Sequence, residues 1–181
     1  VDLEQLQAAF AADPTSTAYY ELIARYVELG RVVEALVVAK KAAASRPQDS
    51  VAARTLGWVL LVQNKVDRAL LELGRSLQIN PGDYEARFLY ALGLERQERI
   101  DEALVQIGYV LAAHPSHAGA KEAHGRCSSP SAAGEAEMRL EVVEKTIMMA
   151  AADILSSREL KTRKKSSEKE HDQGLAQEAQ D

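Results

Sequence analysis

Apolar residues in the middle of the chain recur with the spacing of one helix face. In three successive stretches an apolar residue is followed four residues later by another, at Leu22 and Tyr26, Leu56 and Leu60, and Tyr90 and Leu94. After a short break, alanine followed by leucine recurs at Ala35, Ala69 and Ala103. Residues four apart lie on one side of a helix, so each stretch predicts two helices that pack through these positions.

Prolines divide these stretches into units of constant length. Pro47, Pro81 and Pro115 are 34 residues apart, and proline breaks a helix because it lacks an N–H and clashes with the preceding turn. The units run over 16–47, 50–81 and 84–115. A helix pair of this size does not bury its apolar face alone, so the units are predicted to stack into an all-α solenoid.

The recurring positions resemble the tetratricopeptide repeat, a helix-turn-helix unit of about 34 residues. The resemblance covers residues 16–115 and rests on the central alanines and the closing prolines. It departs from the family pattern at Ala91, which replaces the small glycine of the first helix. It departs again at Asn64 and Glu98, where the first unit has the turn residue Gly30. The resemblance implies a right-handed helical-repeat solenoid.

The family resemblance also implies that the first helix of each unit lines a concave surface. The residues that fall on this surface, called the groove below, are Tyr20, Ala24, Val27, Arg54, Trp58, Leu61, Phe88 and Leu92. Aromatic and aliphatic side chains there favour binding of an amphipathic helix or an extended peptide of another protein. The alternative for Trp58 and Phe88 is that they fill gaps between neighbouring helices. The expected function is a non-catalytic adaptor or assembly scaffold.

The flanks of the repeats follow the same scheme until the composition changes. Residues 1–15 are predicted to form a half-repeat or an N-terminal cap helix, and residues 116–127 the first helix of a fourth unit. Residues 128–136 are a predicted linker, followed by an amphipathic helix over 137–161 and a disordered, highly charged tail over 162–181. An array with half-units at both ends, in a chain that begins with valine, is expected of caps or of a fragment of a longer array.

The predicted helix over 137–161 is a candidate second interface. Its apolar face carries Leu140, Val143, Ile147 and Ile154. Three interpretations remain open: the helix caps the last repeat, it forms a coiled-coil or dimer seam, or it lies in the chain's own groove and competes with a partner. Two heptads are marginal as an isolated coiled coil, so the cap is favoured.

A cluster of histidines with the single cysteine is a candidate metal site: His114, His117, His124 and Cys127. Imidazole and thiolate are ligands that zinc and nickel prefer, so the alternative function is a metal-responsive binding protein. The spacing is weak evidence without two Cys-x2-Cys pairs. In addition, His114 falls in the last turn of a predicted helix, where histidine also suits the helix dipole.

Charge and motifs argue against several other functions. The 27 acidic and 22 basic residues give a formal charge of -5, which offers no global attraction to nucleic acid or an anionic membrane. The sequence has no run of eighteen apolar residues, no glycine-rich phosphate loop and no nucleophile elbow. We therefore expect no catalysis, no cofactor, no nucleic-acid partner and no membrane insertion. The composition favours a cytoplasmic bacterial protein, or a periplasmic or envelope-associated one if a leader was removed.

Overall fold

The computed structural model describes residues 2–129 and 141–149 of the 181-residue chain. Within these residues every regular element is helical: α1 Leu3–Ala12, α2 Ala18–Glu28, α3 Val32–Ser45, α4 Ser50–Val62, α5 Val66–Ile79, α6 Tyr84–Arg96, α7 Ile100–Ala113 and α8 Ala118–Ser128. Residues 141–149 are also helical. The fold is therefore an all-α helical-repeat solenoid, as predicted.

Several predictions for the C-terminal part fall outside the described residues. These are residues 130–136 of the linker predicted over 128–136, the outer parts of the helix predicted over 137–161, and the tail predicted over 162–181. Leu140 and Ile154 belong to this group. The described helical residues 141–149, called the C-terminal segment below, lie inside the predicted amphipathic helix. No helix among the described residues is both long enough and apolar enough to cross a membrane.

Each joint between repeats combines a helix-breaking proline with an N-terminal cap two residues later. The Asp49 carboxylate accepts hydrogen bonds from the N–H groups of Val51 and Ala52, and the Asp83 carboxylate accepts one from Ala86. The first N–H groups of a helix have no partner within it, so an acceptor at this position stabilises the helix start. The proline ends one helix and the aspartate begins the next.

The turn inside each helix pair contains a residue with a left-handed backbone conformation, and this residue recurs every 34 positions. Gly30 has φ 70°, Asn64 has φ 57° and Glu98 has φ 60°. The residue after each of these donates its N–H to a carbonyl five residues earlier, as Lys65 does to Leu60 at 2.9 Å. This pattern ends a helix in the manner that normally favours glycine. The turn geometry is thus retained where the sequence departs from glycine.

Small residues bring the helices into close contact. Ala35, Ala69 and Ala103, on the second helix of each unit, have no exposed surface. Gly57 lies so close to α5 that an added Cβ would stand 2.6 Å from Leu73 Cγ. Consecutive helices pack against each other throughout, and the first helices α4 and α6 also touch. The first helices α4 and α6 therefore lie side by side in the array.

Candidate partner-binding groove

The eight predicted groove residues all lie on first helices, and all are withdrawn from solvent. Three are on α2, three on α4 and two on α6. The seven apolar members are at most 5% exposed, and the Arg54 side chain is 12% exposed. Trp58, at 4% exposed, is the largest of them. The groove is therefore apolar and aromatic, and in this structure it is not an open surface.

The C-terminal segment contacts the groove at Trp58 and the neighbouring Arg96. The indole N–H of Trp58 donates a hydrogen bond to the Ile147 carbonyl at 2.9 Å. The guanidinium of Arg96, at the end of α6, donates to the Glu144 carboxylate at 2.6 Å. Val143 and Ile147 are buried. The segment thus contacts the first helices α4 and α6, as the third interpretation drawn from the sequence requires, and its competition with a partner stays a prediction.

Arg96 joins this segment to the repeats through two contacts. One guanidinium nitrogen donates to the Leu61 carbonyl at 2.7 Å and another to Glu144. The Arg96 side chain is only 7% exposed, whereas Glu144 is 60% exposed. The role of Arg96 could not be predicted from the sequence, because a lone arginine at a helix end is usually a solvated charge.

A buried ion-pair cluster holds the second and third units together. One guanidinium nitrogen of Arg54 lies 2.8 Å from Asp83 and 2.7 Å from Glu85. Burial alone would lower the pKa of Arg54, but the carboxylates of Asp83 and Glu85 outweigh it and the pKa is raised. The Asp83 carboxylate thus caps α6 and pairs with Arg54 at once. Arg54 is committed to this cluster rather than presented to a ligand.

A second buried pair joins the third unit to α8. Glu95 has a fully buried side chain, and its two oxygens each accept from Arg126 at 3.1 Å. Such a bidentate ion pair fixes the relative orientation of α6 and α8. The sequence places a charge at the edge of the groove here, but it does not reveal the partner 31 residues away.

The histidines and the cysteine of the candidate metal site make other contacts. His117 is the cap of α8, because its Nδ1 accepts from the Ala120 N–H at 3.0 Å, and its ring packs on Phe88. The His114 ring lies 3.8 Å from that of Tyr84, centroid to centroid. Within residues 2–129 and 141–149, no three His, Cys, Asp or Glu side chains come together to hold a metal ion. The arrangement gives the metal-responsive alternative no support.

The second helices carry a different set of apolar side chains. Val37, Leu71 and Val105 recur every 34 residues and are all exposed, Leu71 by 73%. They lie on α3, α5 and α7, away from the groove helices. This surface provides reference positions for any experiment on the groove.

Comparisons with known proteins agree with the repeat architecture. The family model described as anaphase-promoting complex, cyclosome, subunit 3 matches residues 28–110. A crystal structure of MamA is similar at 17% identity over 89% of each chain, with a TM-score of 0.61. YrrB, described as a TPR protein with an unusual peptide-binding site, is similar at 27% identity over 91% of this chain and 81% of its own, with a TM-score of 0.56.

The comparison with curated proteins found no match. The 34-residue units, the capped joints and the likeness to YrrB and MamA all indicate the same kind of repeat. These findings support a tetratricopeptide repeat protein, with the fold of a protein–protein interaction module.

Proposed function

We propose that this protein is a non-catalytic adaptor or assembly scaffold that binds a helix of another protein in the groove. The observation that carries the proposal is the helical C-terminal segment, which lies on Trp58 and Arg96. A surface that accepts one helix has the width and the apolar lining that a second helix needs. Helix-in-groove binding typically uses apolar anchors at i and i+4, and Val143 and Ile147 have that spacing.

A helical ligand fits the groove better than an extended peptide. A peptide that binds by strand addition relies on backbone hydrogen bonds to a sheet edge. The groove is made of helices, and its described donor to the segment's backbone is the indole N–H of Trp58. Among similar structures, YrrB is described as having a peptide-binding site, which supports recognition of a polypeptide by this fold.

The buried charges near the groove support a structural role rather than catalysis. Arg54 is paired with Asp83 and Glu85, and Glu95 is paired with Arg126. A catalytic acid, base or nucleophile must be able to reach a substrate. These side chains instead cross-link helices, so they position the groove without offering a reactive group.

Site-specific photo-cross-linking tests the proposal directly. One variant of the full chain carries a benzophenone amino acid in place of Trp58 in the groove. A matched variant carries it in place of Leu71, which is 73% exposed on α5. Both are irradiated in a lysate of the source organism after circular dichroism has shown that each is helical. Cross-linked proteins are then identified by mass spectrometry.

The proposal predicts a protein that cross-links from position 58 and not from position 71. Recovery of the same protein from position 71 alone would contradict it, because recognition would then lie on the second helices. A cross-link from both positions would also contradict it, because the two faces belong to different helices of each pair.

A further inference from the structure

The contacts of the C-terminal segment describe the ligand that the groove accepts. We infer that this segment is an internal competitor for the groove, and that the partner is an amphipathic helix with the same chemistry. That chemistry is two aliphatic side chains four residues apart, with a carboxylate directly after the first. The inference rests on the proposed function and adds the partner's chemistry and its regulation.

Burial along the segment defines its binding face. Val143 and Ile147 are at most 1% exposed, while Val142 and Met148, each one residue away, are 38% and 43% exposed. The segment therefore presents a single narrow face, in the way an amphipathic helix enters a groove. Both anchors are β-branched and so lose little side-chain freedom when a helix binds.

Arg96 selects for a carboxylate. Its side chain is nearly buried and already donates to the Leu61 carbonyl, so it has a defined direction when it meets Glu144. A helix with a lysine at the position of Glu144 would place like charges together. Because Glu144 is largely exposed, this pair contributes more to the choice and orientation of the ligand than to its affinity.

Trp58 makes the groove usable by different helices. Its N–H bonds to a backbone carbonyl, which every helix possesses, rather than to a side chain. A buried indole N–H requires an acceptor. When the segment leaves, Trp58 and Arg96 both lose partners, and a second helix of the same chemistry restores them.

The segment and a partner compete because both bind to Trp58 and Arg96. A tethered segment acts at an effective concentration of roughly millimolar, so a free helix must overcome a large local excess. The apparent affinity for the partner is lowered by the fraction of chains in which the groove is vacant. The C-terminal segment thereby sets how tightly the scaffold holds its partner.

A labelled peptide of residues 138–155 serves as the probe. Its fluorescence anisotropy is followed on addition of the full-length wild type, the Ile147→Asp chain and the Met148→Asp chain. Ile147 is buried and Met148 is exposed, so the two variants add the same charge one residue apart. We expect the Ile147→Asp chain to bind the peptide at least about tenfold more tightly than the other two, because its groove is vacated.

Further variants separate chemistry from folding. Val143→Asp should reproduce the effect of Ile147→Asp, since both side chains are buried on the same face. A peptide with Glu144→Lys should bind the Ile147→Asp chain more weakly than the natural peptide does, because its lysine would lie beside the like-charged Arg96. Equal binding of the natural peptide by all chains would overturn the inference, and so would equal binding of both peptides.

The inference and the proposed function fail in different ways. The cross-linking experiment is repeated with a chain that also carries Ile147→Asp. The yield of partner cross-linked at position 58 is then compared between this chain and the chain that retains Ile147. A larger yield supports internal competition. The same partner at an unchanged yield would leave the proposed function intact and overturn the competition, whereas recognition at position 71 alone would overturn the proposed function.

Discussion

Gly57 is a position where one added methyl group should lower the stability of the protein directly. A Cβ at this residue would lie 2.6 Å from Leu73 Cγ, 2.9 Å from Leu73 Cδ2 and 3.3 Å from the Ala69 carbonyl oxygen. Leu73 has no exposed surface, so it has little room to move. The Gly57→Ala change therefore requires a shift between α4 and α5.

Two effects of opposite sign decide the size of the change. Overpacking a well-packed core costs about 1–3 kcal/mol. Replacing a glycine inside a helix by alanine gains about 0.5–1 kcal/mol. The net expectation for Gly57→Ala is a loss of about 0–2.5 kcal/mol in the free energy of unfolding.

Gly108 is the matched control, because it lies inside α7 and a Cβ there would meet no atom within 4 Å. Gly108→Ala should stabilise the protein by about 0.5–1 kcal/mol, since only the helix propensity changes. Urea unfolding followed by far-UV circular dichroism measures both variants against the wild type. A Gly57→Ala protein as stable as the Gly108→Ala protein would refute the close approach of α4 to α5.

Three further substitutions test contacts of the joints and turns. Arg54→Met leaves the buried Asp83 carboxylate without its cation and should cost about 3 kcal/mol in urea unfolding; an unchanged midpoint would contradict the pairing. His117→Ala removes the acceptor for the Ala120 N–H and should cost about 1 kcal/mol by the same method. Glu98→Gly relieves a left-handed backbone and should raise the thermal midpoint, with a gain of about 1 kcal/mol; a lower midpoint would argue against the turn.

Much of the fold follows from local chemistry that can be predicted from the sequence. The 34-residue spacing of Pro47, Pro81 and Pro115 predicts where the helix pairs divide. Asp49 and Asp83 occupy the same place after two of these prolines, and both cap helices. In the third joint this place is taken by a histidine, which sequence reasoning grouped with metal ligands. The recurrence of the position is the signal that identifies a cap.

The groove is only partly predictable for a different reason. The first-helix positions can be listed from the repeat, and whether they contact a partner stays a prediction. Trp58 is hydrogen-bonded to the C-terminal segment, whose Ile147 is 89 residues away in the chain, whereas Phe88 packs on His117 of α8. No local pattern encodes which of several apolar faces a distant helix will cover. Arg96 was missed for the same reason, since its partner Glu144 is 48 residues away.

The most direct test of the central claim uses the single tryptophan of the chain. Trp58 is buried and bonded to Ile147, so its fluorescence reports whether the C-terminal segment lies on the groove. We predict that Ile147→Asp shifts the emission to the red and increases quenching by acrylamide, while Met148→Asp leaves both as in the wild type. Identical emission and quenching in all three proteins, each shown to be folded, would contradict the placement of the segment in the groove.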